Sequence, residues 1–252
     1  SGSIPSVLGN LSSLQEILLY LNDLTGVVPS SFALLHGCKI LRVDGNKLNG
    51  SVFIVVESLP NLHTLYLDDN SFTGAVSALS TSLQYLSFTN NRFSGSLPRT
   101  LGNLTQLRFL FATNNMLDGT VPGNLSQCEQ LAFLYLDSNS ITGTIPSSLL
   151  VLNSLSYLDV HGNRMSGPLL LLDLPQLVSV DFSSNSFTGT VPGNVSSTLG
   201  SLNVAFTGVS ASSICKWMPV CREAVNCCYN LMVMCFCLQR EPFPASCAAP
   251  PA

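Results

Sequence analysis

The sequence predicts an α/β solenoid, in which short coils stack in register and each gives one strand to a continuous parallel sheet. Three observations predict it. One asparagine recurs at Asn22, Asn46, Asn70, Asn91, Asn115, Asn139, Asn163 and Asn185, at spacings of 24, 24, 21, 24, 24, 24 and 22 residues. Apolar residues stand three, five and eight places before each one, as Leu14, Ile17 and Leu19 do before Asn22. A second apolar set follows two, six and often ten places later, as Phe93, Leu97 and Leu101 follow Asn91, with Gly95 and Pro98 marking a turn between.

Each part of the coil has its own reason. Alternation of apolar residues over a few positions predicts a strand, and the Gly and Pro that follow forbid its continuation. A single coil cannot cover its own apolar side. Stacked coils bury one another's leucines in one column, each contributing on the order of 1.5–3 kcal/mol. The turn after each strand leaves backbone groups outside the ladder, and an Asn side chain donates and accepts at once to satisfy them.

These residues, and the segment ITGTIPSSLLVL at 141–152, resemble the leucine-rich repeat family in its plant-type class of 24-residue repeats; the resemblance extends over residues 2 to 204. It implies a right-handed superhelix with a parallel sheet on the concave side and irregular or 3₁₀ segments on the convex side. The expected domains are a solenoid over 1–205, about eight coils with a partial first coil, and a cysteine-rich C-terminal cap over 206–252. Two coils depart from the pattern: 62–82 lacks a complete Gly-x-x-Pro turn, and Phe53 stands where Pro is expected. Both are expected to be locally irregular. The chain opens on SGSIPSVLGNLSS, the second half of a coil, so it begins inside the repeat without the Cys-paired cap that the resemblance implies. An uncapped coil is an open edge for pairing.

Seven of nine cysteines, Cys215, Cys221, Cys227, Cys228, Cys235, Cys237 and Cys247, crowd near the end of the chain and predict a disulfide-bonded cap. The doublet and the Cys235-x-Cys237 pair lack the spacing of paired zinc ligands. Seven is odd, which leaves one sulfur over for a second chain or for burial, and the pairing stays open. Cys38 and Cys128 occupy apolar core positions and read as buried thiols. Sequons at Asn10, Asn103, Asn124 and Asn194 fall after the strand and turn, on the convex or flanking surface. With the cysteine cluster they predict a secreted or cell-surface protein carrying N-linked glycans.

Composition excludes other classes. The chain is 46% hydrophobic and only 10% charged, with net charge −4, so it can build a large core but no basic stripe for nucleic acid. Its longest apolar runs fall short of the roughly 18 residues a spanning helix needs, and it opens on Ser1 with no signal-like segment. No phosphate-loop, dinucleotide or kinase motif occurs, and no cofactor is predicted. Asp137, His161 and Ser183 form an Asp, His, Ser row in consecutive coils. An open sheet lacks the oxyanion hole and enclosure that a hydrolase triad requires, so the row reads as a hydrogen-bonded polar rank in which Asp137 favours protonated His161.

The outward strand positions lie six, four and two places before each Asn. They gather Tyr66, Tyr85, Phe109, Phe111, Phe133, Tyr135 and Tyr157 into one patch, flanked by Asp44, Asp68, Asp137, Asp159 and Asp181. Aromatics favour exposed strands for packing alone. A contiguous patch of this size also fits a non-catalytic recognition surface for a peptide or protein, with the acids drawing basic groups. The resemblance implies roles such as receptor ectodomains, receptor-like proteins and inhibitors of secreted wall-degrading enzymes. A different class of reading is a self-associating structural protein, built through the open first coil, the low surface charge and the spare cysteine. Binding of ice or mineral ranks last, because threonines 25, 73, 120, 142, 144, 188 and 190 form no unbroken rank.

Overall fold

In the computed structural model, residues 2–209 are described, apart from 78, 171–172, 192–194 and 206. The seven clustered cysteines, the sequon at Asn194 and all of the expected cap except 207–209 therefore lie outside the described residues. The repeat phase becomes geometry directly. Nine short strands, β1 (Glu16–Leu18), β2 (Ile40–Arg42), β3 (Thr64–Tyr66), β4 (Tyr85–Ser87), β5 (Phe109–Phe111), β6 (Phe133–Tyr135), β7 (Tyr157–Asp159), β8 (Ser179–Asp181) and β9 (Ser201–Asn203), form one parallel sheet in chain order. Each central residue points inward: Ile17, Leu41, Leu65, Leu86, Leu110, Leu134, Leu158, Val180 and Leu202 are all buried. The period of two leaves the first and third residues of each strand facing outward.

The asparagines close each coil as expected. Asn91 Nδ2 donates to the carbonyls of Leu67, Phe88 and Thr89 at 2.9, 3.2 and 3.1 Å, while its Oδ1 accepts the Phe72 N–H at 3.0 Å. Asn46, Asn139 and Asn163 make the same four contacts to their own and the preceding coil. Ahead of each Asn the chain turns through the left-handed region. The residues there, Leu21, Gly45, Asp69, Asn90, Asn114, Ser138, Gly162 and Ser184, hold φ between 52° and 65°.

The convex side follows the prolines. Where Pro5, Pro29, Pro98, Pro122 and Pro146 fix φ, a 3₁₀ turn follows: Ser6–Asn10, Ser30–Leu34, Arg99–Asn103, Gly123–Gln127 and Ser147–Val151. Phe53, in place of Pro, instead starts a short helix α1 (Phe53–Val56), whose ring packs at 5.8 and 4.9 Å from the rings of Phe88 and Phe93. The shortened coil, 62–82, has no helical turn among the described residues between Gly74 and Tyr85. Both irregularities stand where the sequence places them. In the coil after Gly167, where Leu170 stands at the position that other coils give to Pro, no helical turn occurs among the described residues. Cys38 and Cys128 are free, buried thiols, as expected. No helix among the described residues is long and apolar enough to cross a membrane.

Candidate functional site

Register decides which side chains meet on the concave face. Pairing aligns Thr64, Tyr85, Phe109, Phe133 and Tyr157 in one column, and Arg42, Tyr66, Ser87, Phe111, Tyr135 and Asp159 in the next. All seven predicted rings therefore fall on β3 to β7, and they touch in an unbroken series. Tyr66 stacks on Tyr85 at 4.3 Å, Tyr85 meets Phe109 at 5.3 Å, Phe109 stacks on Phe133 at 5.0 Å, and Phe133 lies nearly parallel to Tyr157 at 4.6 Å. Phe111 and Tyr135 form a second file at 5.0 Å, tied edge-on to the first. Each ring is half-buried, covered by its neighbours and open on the concave side. Burial among these rings pushes the Tyr85 and Tyr135 phenols up, so both stay neutral donors.

At the β2 end, Arg42 is fixed on three sides. Its guanidinium grips Asp44 through two nitrogens at 2.9 and 3.1 Å and lies 4.3 Å from the ring centres of both Tyr20 and Tyr66. Beside it, Asp68 accepts the Ser87 hydroxyl and, at 2.7 Å, the Thr89 N–H. Burial raises its pKa; those two donors pull back and the Asp44 charge adds to the rise. Arg42, Asp44, Tyr66, Asp68, Asp69, Ser87, Thr89, Phe111, Thr113 and Tyr135 line an open hollow of about 480 Å³. Arg42, Tyr20 and the hydroxyl residues are absent from the predicted site, although Arg42 and Tyr20 stand in the same outward columns as its members.

At the β6 to β8 end the acids are already engaged. Asp137 is buried and accepts the Thr113 hydroxyl at 2.6 Å. Asp159 Oδ1 lies 2.8 Å from His161 Nδ1 and also accepts the His161 N–H at 3.0 Å. Asp181 accepts from Ser183 N–H and Asn203 Nδ2, both at 2.8 Å. The direct partner of His161 is thus Asp159 rather than Asp137, which stands 3.9 Å away, because the four-before position shares the imidazole's own coil. Burial would lower the His161 pKa, but the Asp159 bond and the charges of Asp159, Asp137 and Asp181 outweigh it and raise the value. Ser183 is buried, and no hydrogen bond joins its hydroxyl to His161 among the described residues. The sequons Asn10, Asn103 and Asn124 are exposed at the ends or within 3₁₀ turns of the convex side.

Comparison with known proteins agrees with this geometry. Residues 82–104 and 130–152 match the family model described as Leucine Rich Repeat. Receptor-like protein 39 of Arabidopsis thaliana is 36% identical over 108 residues, covering 40% of this chain and 12% of the relative. The chain thus spans about an eighth of that protein. Among solved structures, a plant peptide hormone receptor, RGFR1 in complex with RGF2, superposes with TM-score 0.78 at 29% identity, over 82% of this chain and 34% of that one. A TDR receptor gives TM-score 0.68 at 26% identity, over 85% of this chain and 43% of that one. Eight phased asparagines, a nine-stranded parallel sheet and these matches together show a leucine-rich-repeat solenoid similar to those of plant receptor-like proteins.

Proposed function

We propose that the concave ring band is a non-catalytic docking platform for an extended peptide or a protein segment, outside the cell. The observation that carries this is the unbroken ring contact across five adjacent strands, from Tyr66 to Tyr157. Strands ~4.8 Å apart make the band ~19 Å long, enough for about six residues of extended chain at ~3.3 Å each. Aromatic surface supplies area at little entropic cost, because each ring is held by its neighbours before a partner arrives. Carboxylates at both ends, Asp44, Asp68 and Asp69 on one side and Asp137, Asp159 and Asp181 on the other, favour a ligand with an apolar middle and basic groups at its ends. The structural likeness to a receptor solved with its peptide hormone supports a peptide as the partner class. Glycans on Asn10, Asn103 and Asn124 would sit on the opposite side and leave the band open.

The test pans the immobilised chain against displayed random linear peptides, then measures the enriched sequences on Phe111→Asp/Tyr135→Asp. Enriched peptides with aromatic or aliphatic centres and basic ends, losing at least tenfold affinity on the folded double variant, support the platform. No enrichment, or equal affinity for the double variant, overturns it.

A further inference from the structure

We infer that Asp137, Asp159 and His161 form a binding site for a divalent transition-metal ion of the zinc type. The site does not depend on the docking role of the ring band. One ligand atom from each residue lies within 4.8 Å of the others. His161 Nδ1 stands 2.8 Å from Asp159 Oδ1 and 3.9 Å from Asp137 Oδ2. Two ligands of one tetrahedral zinc ion, each ~2.0–2.2 Å from it, stand about 3.3 Å apart. The first pair must open and the second close by about half an ångström each, and the two carboxylates, which lie within 4.8 Å of each other, must close on the ion by side-chain rotation. One imidazole with two carboxylates suits zinc and its first-row neighbours rather than calcium or magnesium.

A second observation points to a cation independently. The Asp137 side chain is only 7% exposed, yet the donors within bonding distance of its oxygens are the neutral hydroxyls of Thr113 at 2.6 Å and Ser138 at 3.3 Å. A buried carboxylate hydrogen-bonded only by neutral hydroxyls is costly, and the nearest cationic group, the His161 imidazole, stands 3.9 Å away. The Thr113 bond is the kind of outer contact that orients a ligating carboxylate. His161, with 39% of its side chain exposed, opens the site to the concave groove, giving the ion a way in and a free coordination position.

The experiment follows the imidazole nitrogens of the full chain by long-range proton–nitrogen NMR during addition of zinc chloride at neutral pH. Reading nitrogen keeps cysteine sulfur out of the signal, and His36 and His63 serve as internal controls. A saturable shift at His161 Nδ1 with both controls fixed, weakened at least tenfold by Asp137→Asn and by Asp159→Asn, supports the site. An unmoved His161, or a shift that either folded variant leaves intact, overturns the three-ligand assignment. If Asp137→Asn does not fold, Asp159→Asn alone decides the outcome, since its carboxylate is half-buried and the substitution keeps its shape.

Discussion

The Phe72 amide donates to Asn91 Oδ1 at 3.0 Å across a coil boundary, so one side chain holds the return path of the preceding coil. Asn91 is buried and serves four backbone groups from two coils. Replacing it with Ala strands those groups away from water, at about 1–3 kcal/mol for each one left unpaired. Asn91→Ala is expected to lose about 3 kcal/mol or more. Asn22 is exposed and donates only to Leu19 and Tyr20 carbonyls, so Asn22→Ala should cost about 1 kcal/mol or less. Urea unfolding of both variants checks the contrast, and equal losses would show that burial of the ladder is not what matters.

The raised pKa of Asp68 carries a signed pH dependence. The folded state binds this proton more readily than the unfolded chain does, so stability is lost as pH rises from the unfolded value through the folded one. At neutral pH the ionised group carries its whole desolvation cost. Asn at this position keeps an oxygen for the Ser87 hydroxyl and the Thr89 N–H while removing the charge. Asp68→Asn is therefore expected to be more stable than wild type at neutral pH, with the gain vanishing below about pH 4. Denaturant midpoints across that range test it. A loss of stability at neutral pH would mean that the two donors outweigh burial.

The helix at Phe53 gives a third test. Its ring is 1% exposed and contacts Phe88 and Phe93, so Phe53→Ala should cost about 3–5 kcal/mol in urea unfolding. Phe53→Pro restores the residue that precedes the five 3₁₀ turns, yet should cost a similar amount, because a fixed φ does not replace a lost ring. Wild-type stability in the Pro variant would show instead that backbone geometry governs this coil.

How much of this is legible in the sequence depends on whether a contact follows the repeat phase. The asparagine ladder, the strand register and the seven-ring band all follow it, since positions a coil apart become neighbours. Phe53 announces an irregular coil by replacing Pro, but nothing in the phase says that its ring will fill the core. The acids are visible as columns, while their engagement is not. Asp68 meets Ser87 and Thr89, and Asp137 meets Thr113, through rotamers that reach into an adjacent coil. Arg42 escapes a reading by phase because its role comes from two rings on different coils, Tyr20 and Tyr66.

The two repeat cysteines report on coil opening. Cys38 and Cys128 are fully buried, and burial pushes both thiols up to about 11. At pH 8 only ~0.1% of such a thiol would be thiolate even if reagent could reach it. Alkylation in the native state should therefore pass through unfolding, and mass-spectrometric mapping should find these two cysteines unmodified until denaturant approaches the midpoint. They lie on different coils, at positions that face one shared core, so a cooperative solenoid exposes both together. Labelling of Cys38 well before Cys128 would show that the first coils open as a separate unit, as one-dimensional stacks do when coupling between neighbouring coils is weak.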